Sequence, residues 1–180
     1  FALAAAKEAA GEQHYPQGSL YVVATPIGNL ADISLRALHT LTLADTIACE
    51  DTRHTQQMLR AYGIDKPASQ LLAVHQHNEA EAANAVVDRL RQGQRVAYVS
   101  DAGTPGISDP GARLVAAVQT QGLRALPLPG ASSITALISV AGCASDTGGG
   151  TGFVFEGFLP TKATERTHAV ATLQTEVRAV

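Results

Sequence analysis

Residues 99–115, VSDAGTPGISDPGARLV, set Asp101 and Asp109 among three glycines and two prolines. A plain connection between elements needs only about two to six residues of any polar kind. Glycine lets a backbone approach a ligand closely, so this stretch reads as one wall of a cleft. Two further stretches, TPIGNLAD (25–32) and PGASS (129–133), have the same small, punctuated character. No G-x-G-x-x-G follows the run LYVVA (20–24), which removes the dinucleotide fingerprint and with it a dehydrogenase. No Gly-Lys-Ser/Thr occurs, so Asp101 has no phosphate-binding lysine beside it. His75 and His77 lack a spaced set of Cys or carboxylate partners, and no metal site is expected. Small residues and backbone amides remain. They suit a flat, partly apolar ligand with few phosphates, of adenosine type.

Two polar clusters carry further chemistry. CEDTRHT (49–55) brings Glu50, Asp51, Arg53 and His54, and HQHNE (75–79) brings His77 and Asn78. Each has a plainer reading. Glu50 and Asp51 equally suit the electropositive start of a helix, and Asp101 suits a turn. One of His75 and His77 serves structure in that reading, and Arg53, Arg60 and Lys66 are solvated charges. The glycines 148–150 read as a loop, because no basic residue is fixed among them.

The elements that position these loops follow from periodicity. Apolar runs at 20–24, 46–49, 71–75, 95–99 and 123–128 alternate with helical patterns near 32–43, up to Tyr62, around Ala83, Val86, Val87 and Leu90, and from Gly111. Continuous apolar runs between amphipathic stretches predict an open, mainly parallel α/β sheet covered by helices on both faces. Gly63, Gly93 and Gly122 stand just past helical patterns, where a left-handed residue is wanted. Asp109-Pro110 supplies an N-cap and a first-turn proline. In such sheets ligands bind outside the carboxyl ends of the strands, which is where all three punctuated loops fall.

The rhythm changes after Gly130. A short helix (131–141), a Gly-rich loop and FVFEGFLP (153–160), which alternates as a half-exposed strand, open what reads as a second α/β domain. The expected division is an extension at 1–17, a first domain at 18–130 and the start of a second at 131–180. The chain starts at Phe1 and stops at a strand-like VRAV, so both natural ends are expected to lie beyond it. The 180 residues are 46% hydrophobic, 16% charged and 4% aromatic, without Trp, so the core must be aliphatic. A net charge of −3 gives no broad electrostatic footprint for nucleic acid. Cys49 and Cys143 stand far apart, which predicts free thiols and suits a reducing cytoplasm. The Ala-rich start is interrupted by Lys7 and Glu8, and no membrane partner is expected.

In this order, LYVVATPIGNLADISLRA, CEDTRHT, HQHNE, SDAGTPGISDPG, PLPG and FVFEGFLPTK resemble the rRNA-modifying branch of the tetrapyrrole-methylase-like S-adenosylmethionine (SAM) enzymes, from about Gly18 to Arg166. The resemblance implies a two-domain α/β homodimer that binds SAM in a cleft. It also implies 2′-O-methylation of a cytidine ribose in the decoding region of 16S rRNA, within the assembled small ribosomal subunit. Matched residue by residue, it assigns the cofactor to Pro26, Ile27, Gly28, Asp101, Ala102, Gly103, Ile107, Ser108, Pro129, Gly130, Ala131 and Ser132. RNA falls to Arg53, His54, His77, Asn78, Lys162 and Arg166. A base near the 2′-hydroxyl is sought among His77, Glu50 and Asp51, and the residues do not choose between them. Methylation of a tetrapyrrole or other small substrate, and a ribosome-binding factor without chemistry, are the alternatives.

Overall fold

Short aliphatic runs, each feeding an amphipathic stretch, fold as parallel strands linked by helices. The computed structural model describes residues 1–107, 109, 111–142, 152–174 and 176. Strands β1 (Ser19–Val23), β2 (Thr46–Cys49), β3 (Leu71–Ala73), β4 (Val96–Val99) and β5 (Arg124–Leu128) form one sheet in the order β3-β2-β4-β1-β5. Every pairing is parallel, with Leu20 opposite both Val96 and Ala125, and Ile47 opposite both Ala97 and Leu71. Helices α1 (Ala2–Ala10), α2 (Leu35–Leu43), α3 (Thr52–Ala61), α4 (Glu79–Arg91) and α5 (Gly111–Thr120) complete this layer structure. They are followed by α6 (Ser133–Ala141) and α7 (Ala163–Leu173).

Side-chain alternation along the strands divides the core in two. Tyr21, Val23, Ile47, Cys49, Ala97 and Val99 pack with Ala6, Leu38, Leu41 and Leu59 from α1, α2 and α3. Leu20, Ala48, Val96 and Tyr98 face the other way, against Val86, Leu90, Leu114 and Val118 from α4 and α5. Right-handed crossovers require this division. The chain moves from β1 outward to β3 through α2 and α3, then returns to β4 and crosses to β5 through α4 and α5. The direction reverses between β1 and β4, so the connections leaving these neighbouring strands lead to helices on opposite faces. The crevice opens there.

Local signals fix the joints. Ser34 Oγ accepts the Ala37 N–H at 3.1 Å and caps α2. Gly63, Gly93 and Gly122 hold φ of 79, 82 and 70° just past α3, α4 and α5, as their positions in the sequence require. Lys66 departs from the expected solvated charge. It is buried, and its Nζ donates to the carbonyls of Thr42 (3.0 Å) and Ala44 (2.6 Å) at the carboxyl end of α2. Burial pulls its pKa down, opposed by Asp45.

Two elements differ from expectation. β3 ends at Ala73, because Asn78 takes over the backbone beyond it. Its Oδ1 accepts the His75 N–H at 2.8 Å, and its Nδ2 donates to the Ala73 carbonyl at 3.0 Å. Residues 154–157 of FVFEGFLP carry no regular structure, with Phe155 and Phe158 exposed. Alternation marks a strand only where a neighbour accepts its backbone hydrogen bonds. The chain divides into two compact units, Phe1–Ser133 and Ile134–Val180. Helix α1, in the expected extension, packs its Ala6 and Ala10 into the first unit. Cys49 is a free, buried thiol, and Cys143 lies outside the described residues.

Candidate functional site

The reversal point is built by the residues just past β1 and β4. Thr25 and Gly103 form an isolated antiparallel bridge, with N–H···O distances of 2.9 and 3.0 Å, that stitches the two loops together. The buried Thr25 hydroxyl adds a bond to the Ser100 carbonyl at 3.1 Å. Neither residue was singled out by sequence; a threonine and a serine beside strand ends carry no distinguishing signal. Gly103 has φ 83°, which calls for glycine, and a Cβ there would stand 3.2 Å from Ile27 Cδ1, a crowding that a small shift of that side chain relieves. Gly130, past β5, lies so close to β1 that a Cβ would come within 2.8 Å of Ala24 Cβ. Thr104 Oγ1 donates to the Ala131 carbonyl at 2.9 Å, which ties the β4 loop to the β5 loop. Pro26–Gly28, Asp101–Gly103 and Pro129–Ala131 therefore share one edge of the sheet. Ile107 is half exposed in the far part of the β4 loop, and Ser108 lies outside the described residues.

Behind this edge the loop is held from below. Tyr98, fully buried on β4, donates its hydroxyl to Asp109 Oδ1 at 2.9 Å. The same carboxylate accepts the N–H groups of Gly106 (2.7 Å) and Gly111 (2.8 Å), which turns the chain into α5. A Cβ on Gly111 would collide with the Tyr98 ring at 2.2 Å.

Three carboxylates meet where β2 and β4 end. The Asp101 N–H donates to Glu50 Oε1 at 3.2 Å, and the Asp51 N–H donates to Asp101 Oδ1 at 3.4 Å. Asp51 also caps α3, accepting the N–H groups of Arg53 (2.8 Å) and His54 (3.3 Å). These backbone bonds lower its pKa. Glu50 shifts the other way. Burial raises its pKa, the Asp101 N–H opposes the rise, and the charges of Asp101 and Asp109 add to it. Burial also pushes the neighbouring Cys49 thiol up to about 11, so it is no nucleophile at neutral pH.

A cavity of about 330 Å³ opens beside these groups. Pro26, Gly28, Asn29 and Leu30 form one side, and Asp101 and Ala102 close the end. His54, Gln57, Met58 and Ala61, successive positions on one face of α3, form the other side. The 3-10 turn Leu30–Asp32 is fixed by Asn29 Oδ1, which accepts the Ala31 N–H, and by the Tyr62 hydroxyl, which donates to the Leu30 carbonyl. Leu30, Gln57, Met58 and Ala61 were missed by sequence reasoning.

The remaining expected residues lie elsewhere. His77 and Asn78 follow β3, the edge strand two places from β4, and neither lines the cavity. Asn78 is committed to the backbone bonds that end β3. Arg53 extends into solvent, 92% exposed, with Asp51 at 3.7 Å. In the second unit Lys162 pairs with Glu165 at 3.0 Å, and Arg166 holds the Thr161 carbonyl at 3.0 Å. Among the described residues no group of three His, Cys, Asp or Glu is arranged to hold a metal ion, and no helix is long and apolar enough to cross a membrane.

Comparison with known proteins agrees with this topology. Residues 19–178 match the family described as Tetrapyrrole (Corrin/Porphyrin) Methylases. Two curated relatives are named ribosomal RNA small subunit methyltransferase I. The Xylella fastidiosa protein is 49% identical over 161 residues, covering 89% of this chain and 56% of that protein. The Escherichia coli O157:H7 protein is 47% identical over 162 residues, covering 90% and 54%. The chain thus spans about half the length of the curated relatives it matches. Among solved structures, the cobalt precorrin-4 methyltransferase of cobalamin biosynthesis superposes with a TM-score of 0.55 at 20% identity, covering 88% of this chain and 68% of that one. A Thermus thermophilus uroporphyrin-III-C-methyltransferase gives 0.54 at 21%, covering 76% and 58%. At such identities the likeness carries the fold alone. The family match over nearly the whole chain carries more: this chain belongs to the tetrapyrrole methylase family.

Proposed function

We propose that this chain is part of a SAM-dependent methyltransferase that modifies the 2′-hydroxyl of a cytidine ribose in the decoding region of 16S rRNA, acting on the small ribosomal subunit. The observation that carries the reading is the contact between Glu50-Asp51 and Asp101. It joins the CEDTRHT cluster to the strand-end cleft, in a chain about half identical to proteins named as rRNA methyltransferases. Cytoplasmic action and a homodimer come with the same reading.

The loops fit the cofactor. Gly28 and Gly130 leave backbone exposed along one edge, which suits close approach by a flat adenosine. Half-exposed Ile27 and Ile107 supply apolar surface, and the exposed Asp101 carboxylate suits hydroxyl or cationic groups. Bound SAM supplies a methyl group on a positively charged sulfur, open to a ribose oxygen. The chain must orient that oxygen and accept its proton, and orientation supplies much of the acceleration. Glu50 suits the proton better than Asp51, because its raised pKa makes it the stronger base. His77 follows the edge strand β3, two places from the β4 loop that carries Asp101.

The test uses a protein of the relatives' full length that contains this chain. Calorimetric titration should show SAM binding, and labelled methyl should pass to small ribosomal subunits. Asp101→Ala should weaken SAM affinity by about tenfold or more, the cost of leaving a ligand polar group unmatched. Unchanged affinity would remove Asp101 from the site. Label passing to a tetrapyrrole and not to subunits would favour the small-substrate alternative, and SAM binding without any transfer would favour a ribosome-binding factor.

A further inference from the structure

We infer that the cavity between α3 and the Pro26–Leu30 segment receives the target pyrimidine base, held out of the RNA stack, with Gln57 reading its hydrogen-bonding edge. The inference rests on the rRNA reading above and assigns that substrate its own pocket. The cavity shares Pro26, Gly28, Asp101 and Ala102 with the cofactor loops and runs from them to α3, away from the β5 loop. Sheet order sets β5 on one side of β1 and β4 on the other, and no residue of the β5 loop lines the cavity. Its far wall is α3, which starts from the cap made by Asp51. The two regions share the β1 and β4 loops, where Asp101 stands. A nucleoside seated here presents its ribose toward the carboxylates and its base toward α3.

The lining fits a base. Leu30, Met58 and Pro26 give apolar surface for the ring faces. Gln57 gives an amide that, among the described residues, makes no hydrogen bond of its own. A glutamine amide offers an acceptor beside a donor, which matches the pairing edge of a pyrimidine. Its oxygen takes the cytosine exocyclic amine while its nitrogen gives to the ring nitrogen, and the turned amide serves uracil equally. A volume of about 330 Å³ stands at the small end of ligand sites, which run from about 300 to 1,000 Å³. Unstacked bases in single-stranded RNA are read in this way, through their faces and their pairing edges.

The experiment compares the full-length protein with its Gln57→Ala and Ala61→Leu variants. Both positions are exposed helical sites outside the core, so folding is spared. Ala61→Leu fills the cavity from its rim. Both variants should raise the KM for small subunits by about tenfold, one lost hydrogen bond or a blocked pocket, and leave the SAM dissociation constant within about twofold. Parallel loss of SAM affinity would make the cavity part of the cofactor site. Unchanged KM in an active protein would remove the base from it. Absence of transfer by the wild type would overturn the rRNA reading itself, and this inference with it.

Discussion

Glu50 and Asp51 are adjacent in the chain, yet their surroundings drive their proton affinities apart. Asp51 faces two helix N–H donors, which hold the charged form. Glu50 is partly withdrawn from water near the charges of Asp101 and Asp109, which favours its neutral form. A carboxyl group with a raised pKa binds its proton more tightly in the fold than in the unfolded chain. Its contribution to stability is therefore complete below the unfolded pKa, about 4.3, and lost as pH rises through the folded value. Glu50→Gln keeps an oxygen for the Asp101 N–H and removes the charge. The variant should melt above the wild type at pH 7, and the gap should close below about pH 4. Thermal denaturation across pH measures this, and a gap that widens in acid would contradict it.

At the scale of elements, the β4–α5 loop depends on a buried latch. Asp109 gathers the Tyr98 hydroxyl and the N–H groups of Gly106 and Gly111. Tyr98→Phe loses one of these bonds and should cost about 1–3 kcal/mol in denaturant melts, a typical figure for a hydrogen bond to a charged partner. Asp109→Ala loses all three and should cost more, with a larger fall in SAM affinity because the loop above is released. Equal costs would show that Tyr98 alone holds the loop. The sequence made much of this architecture legible. Continuous apolar runs and the glycines at 63, 93 and 122 marked β1, β2, β4, β5 and the ends of three helices. It could not reveal Lys66, a lone cation whose burial against the end of α2 depends on tertiary folding. Gln57 escaped for a related reason. Thr55, Met58 and Leu59 mark the buried stripe of α3, so Gln57 reads as an ordinary solvent position until the Leu30 turn is brought opposite it. FVFEGFLP misled because alternation describes a side-chain pattern and says nothing of a neighbouring strand.

At the scale of the molecule, one sheet reversal explains why motifs distant in sequence share a single edge. The loops of β1, β4 and β5 converge because those strands are neighbours, and β2 brings its acidic cluster to β4. The edge strand β3 leaves His77 and Asn78 outside the cavity, and for that reason the proposed mechanism gives the base to Glu50 before His77. These residues occur in a chain that spans about half the length of its curated relatives. The decisive measurement is therefore made on full-length protein. Small ribosomal subunits lacking the modification are incubated with the protein and SAM, and the methylated nucleotide in 16S rRNA is mapped by mass spectrometry of nuclease fragments. The account predicts one 2′-O-methylcytidine in the decoding region, formed on subunits and scarcely on short naked RNA, because the proposed recognition reads the subunit's shape and a splayed nucleotide. A methyl group on a base, on another region of the RNA, or on a tetrapyrrole in place of RNA would contradict it.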